Sequence, residues 1–470
     1  MHSLLNFIVL PLLAMPVLNG EERPNIVLVM ADDQGWGEVG YRNHPVLKTP
    51  NLDAMAENGL RFDRFYAGAP VCSPTRASVL TGRSNMRTGV NSHGYALRKQ
   101  EITIAQILSD LGYATGHFGK WHLNGMRGPG VPILAKDRHG PGEFGFKTWL
   151  SVTNFFDRDP ILSRNGSFEE FAGDSSEIVV AEALKFIEQQ ADAGVPSFTV
   201  VWFGTPHSPF RAAEADMQEF QDLDEASKHH YGELVALDRA VGNLRSTLRE
   251  LEIQDETLFW YCSDNGGLPK ISPLTTGGLR GFKGSVYEGG LRVPAIIEYP
   301  SAITAARVTE YPAVTMDIVP TILDVLGIED ERLLKPQDGE SLVQLFEKNA
   351  ASRKKPIPFH CLEQTALIDG RFKLLQPKNK QSYELYDLAG DPAETQNLIG
   401  EIDSLAPGLM AQMLEWKHSM ERSVEGGDYP ENRVLDENPE PRFWTEVEDY
   451  RPYFDDWRGR PEYKSRLKSK

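Results

Sequence analysis

The sequence predicts an α/β fold with a large, mostly parallel sheet flanked by helices and a smaller C-terminal α+β part. Three observations carry this. Near-continuous apolar, β-prone runs recur along the chain, as expected of strands buried on both faces. Amphipathic helical stretches alternate with them, the pattern of crossover-connected parallel strands. After about residue 350 the pattern changes to short hairpin-like strands followed by one helix. In order, the strand runs are "NIVLVM" (25–30), "YATGHF" (113–118), "SFTVVWF" (197–203), "TLFWYC" (257–262) and "PAIIEY" (294–299). Among the helices, "TPNLDAMAENG" offers Thr49 as N-cap, Pro50 at the first helical position and Gly59 as C-cap. "TIAQILSDLG" ends at Gly112 in the same way, while "SEIVVAEALKFIEQQ" and "YGELVALDRAVGNLRSTLREL" repeat apolar residues every three or four positions. "DGRFKLLQ" and "YELYDL" read as a hairpin, with a helix over 406–420 behind it.

These patterns divide the chain into a signal-peptide segment at 1–20, a catalytic domain at 21–350, a C-terminal subdomain at 351–425 and a surface-wrapping tail at 426–470. The first segment has an apolar run from Leu4 to Leu18 that is too short for a membrane span and fits the core of a secretory signal. An uncleaved lipid or membrane anchor is the rival reading. Export would place the protein in a periplasm, an extracellular space or a lysosome, according to host, with no transmembrane span in the mature chain. A net charge of −18 excludes nucleic acid as a general partner, because phosphate binding needs a basic surface. An anion would have to be met in a local basic or metal-lined pocket. The three cysteines, Cys72, Cys262 and Cys361, cannot all pair with one another, and Cys262, at the end of a buried strand, is expected to stay a reduced core thiol. Asn165-Gly166-Ser167 is a glycosylation sequon, meaningful in a eukaryotic secretory host.

In open α/β sheets ligands bind beyond the carboxyl ends of the strands. Four strands deliver chemistry there: Asp32-Asp33 after the first, Lys120 and His122 after "YATGHF", His207 after "SFTVVWF", and Asp264-Asn265 after "TLFWYC". Asp32, Asp33, Asp264 and Asn265 are hard oxygen donors that suit Ca²⁺ or Mg²⁺, whereas zinc would want more His or Cys. Taken singly, the first pair also reads as a helix cap and the second as a turn.

The stretch "VCSPTRASVLTGR" places Cys72 just ahead of a helix, with Pro74 at its first position and Gly82 at its end. A helix N-terminus favours an anion and lowers a thiol's pKa, so a plain cysteine nucleophile is one reading and a buried structural cysteine another. Arg76, four residues on, offers a planar fork for a tetrahedral oxyanion.

From Asn25 to about Asn397 the chain resembles the type I sulfatases of the alkaline-phosphatase-like superfamily. Cys72-Ser73-Pro74-Thr75-Arg76 matches that family's C-x-P-x-R signature and Leu80-Thr81-Gly82-Arg83 its continuation; Gly119-Lys120-Trp121-His122 is its second signature. "TPNLDAMAENGLRF", "SDNGG", "GFKGSVYEGGLRVP" and "ELYDLAGDPAETQNL" look like further family segments, and the general pattern, especially "NGLRFDRFYAGAPVCSPTRASVLTGR", looks closest to the arylsulfatase and N-acetylgalactosamine-6-sulfatase branch. The resemblance implies that a formylglycine-generating enzyme oxidises Cys72 to Cα-formylglycine. The hydrated aldehyde, ligated to one Ca²⁺, would then attack sulfur, and its second hydroxyl would expel sulfate. It also implies that Asp32, Asp33, Asp264, Asn265 and the converted Cys72 bind calcium, and that Arg76 and Lys120 orient the diol and the sulfate. His122 matches the base for sulfate elimination, and His207 and Lys283 the pair that contacts sulfate and protonates the leaving group.

Ser151, Thr153 or Asn154 is expected to add one more polar group. His93 and Arg98 read as a basic surface loop, with the substrate side as the alternative. The loops 126–137 and 272–279 are expected at the pocket mouth. The implied activity is hydrolysis of a sulfate ester, on a sulfated carbohydrate or an aryl sulfate. The alternatives are a phosphonate or phosphodiester hydrolase on the same fold and a non-catalytic sulfated-glycan binder.

Overall fold

A computed structural model describes residues 23–467 apart from 350–351, 379, 381, 403 and 436–437. The expected signal segment lies outside the described residues. The principal sheet contains β1 (Asn25–Ala31), β2 (Leu60–Tyr66) and β3 (Ala114–Lys120). After the two-residue β4 (Met126–Arg127) it continues with β5 (Thr148–Val152), β6 (Ile161–Arg164), β7 (Ser167–Glu170), β8 (Ser197–Trp202), β9 (Thr257–Ser263) and β10 (Arg292–Glu298). Two short strands, β11 (Arg307–Thr309) and β12 (Ala313–Val314), pair in parallel with β2. The strand order is β11-β2-β10-β9-β1-β8-β3-β5-β6-β7. Its centre, β9-β1-β8-β3-β5, is wholly parallel, and β10, β6 and β7 run antiparallel to their neighbours. This is the mixed, mostly parallel sheet expected from the sequence.

Each face of the sheet is covered by helices, which is why the central strands are apolar throughout rather than alternating. One face packs α2 (Cys72–Thr81) and α3 (Ile104–Asp110) in a core that includes Met30, Leu80, Ile107 and Trp260. The other packs α1 (Pro50–Asn58), α4 (Ser175–Ala193) and α5 (Glu225–Glu250) around Val29, Met55, Val180 and Val241. Among the described residues no helix is long and apolar enough to cross a membrane.

Thr49, Pro50 and Gly59 take the N-cap, first-turn and C-cap positions expected of them, and one helix start differs. Thr49 does not cap α1 through its side chain; its hydroxyl accepts from Gly40 N and donates to Asp53. Gly59 ends that helix in an extended conformation, and it must be glycine because a Cβ would sit 2.4 Å from Ile297 O. Helix α2 starts at Cys72 rather than Pro74. The first four N–H groups of a helix lack intrahelical partners, so proline is tolerated at the third position as well as the first.

Beyond the main sheet, β13 (Ile357–Cys361), β14 (Gln364–Asp369), β15 (Phe372–Gln376) and β16 (Glu384–Asp387) form a four-stranded antiparallel sheet, two strands more than the predicted hairpin. The helix Ala406–Val424 packs on it through Leu409 and Met413. The tail does more than wrap the surface. Trp444, Tyr450, Trp457 and Tyr463 build an apolar cluster with Met126, Val131 and Ile161, and β17 (Arg442–Phe443) pairs in parallel with β4.

Candidate active site

The carboxyl ends of β9, β1, β8, β3 and β5 lie side by side, so residues far apart in sequence meet there. β1 delivers Asp32 and Asp33, β9 delivers Asp264 and Asn265, and β3 ends on Lys120 with His122 two residues beyond. Gly119 takes φ +107°, and a Cβ there would lie 1.9 Å from Trp202 O, so only glycine lets β3 close on β8 at this point. Asp33 and His122 also adopt positive φ, at 75° and 55°. Backbone strain in non-glycine residues is characteristic of functional constellations.

The buried floor is a lattice of paired charges. Asp32 Oδ2 accepts from Lys120 Nζ at 2.6 Å, Asp264 Oδ2 from Arg76 at 2.7 Å, and Asp33 from Lys283 Nζ at 2.8 Å. Arg76 also donates to Lys120 O at 3.0 Å and sits 5.0 Å from the centroid of the Trp202 ring. Asp33 N donates to Asp264 Oδ1, and Asn265 Nδ2 donates to Asp33 Oδ1. Burial alone would raise both leading carboxylates. Lys120, His207 and Arg76 outweigh it at Asp32, and Lys283 and His207 at Asp33, so both titrate below the usual range.

The donor set fits a hard cation. Oxygens or sulfur of Asp32, Cys72 and Asp264 lie within 4.8 Å of one another, as do ligand atoms of Asp32, Asp33 and His207. Asp32 Oδ1 and Asn265 Oδ1 are buried without a hydrogen-bond partner. A buried acceptor left unpaired costs about 1–3 kcal/mol, a penalty that a cation bound between oxygen donors removes.

Above this floor opens a cavity of about 410 Å³, lined by Cys72, His122, His207, Lys283, Asn154 and Phe155 among others. Cys72 opens α2 and is 2% exposed, and burial pushes its thiol up despite Lys120 and Lys283 nearby. That disfavours a plain thiolate nucleophile, for which the thiol would have to be lowered. The His207 ring stacks on Phe155 at 4.6 Å between centroids, with Nε2 3.7 Å from Asp33. Both ring nitrogens of His122 are buried and unpartnered, and burial with Lys120 and Arg76 beside it holds the imidazole well below its ordinary value. It is therefore neutral near neutral pH.

Several expected placements differ. Arg76 and Lys120 are not among the residues that line the cavity; they pair with Asp264 and Asp32 beneath it. Of the three polar candidates on β5 and its exit, only Asn154 lines the cavity, since Ser151 bonds His117 and Thr153 bonds Val131 N. His93 lines the cavity, whereas Arg98 is buried and donates to Ser423 O and Val424 O at the end of the C-terminal helix. The segment 272–279 packs instead against Gly35 and Gly37, where its backbone would meet any Cβ. Arg127 and Gly128 of the 126–137 loop do line the mouth, joined by Phe443 and Arg466 of the tail. The last two carry no sequence signal, because nothing local announces that a distant strand will pair with β4.

The sulfatase family model matches residues 24–328, which hold all the floor and cavity residues except Phe443 and Arg466. The chain belongs to the sulfatase family. A second model, that of the C-terminal part of N-sulphoglucosamine sulphohydrolase, matches residues 281–419 of this sulfatase. It is 33% identical to N-acetylgalactosamine-6-sulfatase of Sus scrofa over 359 residues, 68% of this chain and 66% of that protein, just under two thirds of the relative's length. It is 30% identical to arylsulfatase A of Homo sapiens over 448 residues, 82% of this chain and 85% of that protein. Its fold matches the crystal structure of Ps i-CgsB in complex with k-i-k-neocarrahexaose, with TM-score 0.75, 24% identity, 95% of this chain and 100% of that one.

Proposed function

We propose that the sulfatase hydrolyses sulfate esters of a carbohydrate, using Cys72 after conversion to formylglycine and one bound Ca²⁺. The observation that supports this most is the buried meeting of Asp32, Asp264 and Cys72 at the floor of a cavity whose wall carries Lys283, His207 and His122. Asp32, Asp33, Asp264, Asn265 and the Cys72 position would hold the calcium. When bound, it neutralises sulfate oxygen charge and lowers the pKa of the attacking hydroxyl.

The chain's own residues do the rest. Arg76 and Lys120 hold the carboxylates in register from below. Lys283 and His207 border the cavity from the Asp33 side, where they bind a sulfate oxygen and give a proton to the departing alcohol. His122 is kept neutral by burial and takes the proton released when sulfate is expelled. Conversion of Cys72 requires a formylglycine-generating enzyme as a maturation partner, and it fits an exported protein.

The test has two parts. The tryptic peptide 65–76 of the protein from its native host is expected to carry an aldehyde at Cys72, and an intact thiol refutes that chemistry. Sulfate release from sulfated saccharides is expected to be abolished by chelator and restored by Ca²⁺. Faster turnover of a phosphonate monoester than of any sulfate ester would instead establish the phosphonate reading.

A further inference from the structure

The cavity lining is basic although the protein is acidic. It includes Arg127, Arg466, His93 and Lys283 and not one Asp or Glu, in a chain of net charge −18. Lys283 is tied to Asp33. Arg127 and Arg466 are tied to nothing acidic: among the described residues neither guanidinium forms an ion pair or a side-chain hydrogen bond, and Arg127 Nε is buried without a partner. Arg127 is half-buried, and leaving its guanidinium unpaired there is costly, so it persists where something else brings the charge; Arg466 is exposed beside it.

The two arginines form one patch with an aromatic face. Register between β17 and β4 sets Phe443 opposite Arg127. The Arg466 guanidinium lies 3.7 Å from the Phe443 ring centroid, and a Cβ on Gly128 would meet Phe443 at 3.4 Å and Arg466 Nε at 3.7 Å. Gly128 lies against both side chains, and Arg127, Gly128, Phe443 and Arg466 all line the cavity. Planar guanidinium forks suit carboxylate and sulfate oxygens, and an aromatic face suits the apolar face of a sugar ring. Phe443 and Arg466 lie beyond both family matches, 24–328 and 281–419, so this patch is supplied by the chain's own tail.

Resting on the sulfatase reading above, we infer that the substrate bears a second anionic group beside the scissile sulfate, a uronate carboxylate or a further sulfate ester, bound by Arg127 and Arg466 at the cavity mouth. Lys283 and His207 take the scissile sulfate, and the tail admits the neighbouring charge.

The test uses the full-length, converted protein with three probes: a hexosamine bearing one sulfate, the same hexosamine bearing two, and a uronate-linked disaccharide bearing one. The expected result is a kcat/KM at least about tenfold higher for one dianionic probe than for the monosulfated sugar, expressed in KM. That ratio is expected to collapse toward one in Arg127→Ala and Arg466→Ala and to be partly kept by Arg466→Lys. Which dianionic probe is preferred tells carboxylate from sulfate. A ratio near one in the unaltered protein, or a ratio untouched by both alanine variants, overturns the inference. If no probe releases sulfate, the sulfatase reading fails separately. Calorimetric titration with the same saccharides then decides the inference: tighter dianion binding lost in the double variant supports it, and equal affinity for all three probes overturns it.

Discussion

The floor and the mouth of the cavity use the same kinds of side chain in opposite states. On the floor, three carboxylates meet three cations: Asp32 with Lys120, Asp264 with Arg76 and Asp33 with Lys283. At the mouth, Arg127 and Arg466 meet no carboxylate among the described residues. The floor stands on the ends of adjacent parallel strands, which fix backbone positions rigidly, and the mouth on a loop and a tail. Reactivity needs preorganised charge that does not move, whereas selectivity needs charge left free for the ligand. The position of a basic residue in this molecule therefore matters less than whether its partner is already inside the protein.

Breaking the floor is expected to have the largest effect. Cys72→Ala removes the proposed nucleophile, and sulfate release is expected to fall by about 10³-fold or more with little change in thermal midpoint. Retained turnover would show that the floor acts without Cys72.

Next is Arg76→Met, which leaves Asp264 buried without its cation. The expected destabilisation is about 3–5 kcal/mol by urea denaturation, together with loss of activity. Adding Asp264→Asn is expected to recover much of the stability but none of the turnover. If both return, pairing on the floor is merely structural.

A third case is buried Glu233, which feels the charge of Asp157, with Asp174 and Arg211 acting on both. Burial pushes Asp157 up to about 7 and Glu233 well above its ordinary value. Both folded values exceed the unfolded ones, so the folded state binds these protons more tightly. The stability that Asp157 contributes is fully present below about pH 4 and is lost as pH rises through about 7. Asp157→Asn is expected to shrink the drop in thermal midpoint between pH 5 and pH 8, and an equal drop in both proteins refutes the assignment.

The smallest effect is expected at the seam between floor and mouth. Asn154 Nδ2 donates to Gly128 O at 2.7 Å and steadies the loop that carries Arg127. Asn154→Ala is expected to cost about 1 kcal/mol and to raise KM a few-fold with kcat little changed. A change in kcat alone would move Asn154 to the floor.

Much of this arrangement is legible in the amino-acid sequence, and the exceptions share a cause. The apolar runs ending at Met30, Phe118, Phe203 and Cys262 announce strands, and the polar residues just past each run mark the sheet edge where Asp32, Lys120, His207 and Asp264 meet. The start of α2 lies two residues earlier than the sequence suggests, because proline fits the first turn at either position. The pairing of Arg76 with Asp264 is not legible in the sequence, which shows a cation but not the carboxylate that the fold sets beside it. The loop 272–279 reads as part of the mouth, and the tail as surface only, because a sequence shows neither the backbone a loop packs on nor the distant strand a tail pairs with.

Local sequence is enough to set the strands, the covering helices and the identity of the residues at the strand ends, since apolar periodicity and punctuation are properties of neighbouring residues. Which charges are neutralised and which stay free is settled by the tertiary fold. It carries Phe443 and Arg466 across the chain to Arg127, closes Asp264 on Arg76, and leaves Asp32 Oδ1 and Asn265 Oδ1 without hydrogen-bond partners at the site. Partnering of charges depends on distances through space, and those exist only after the sheet has brought distant segments together.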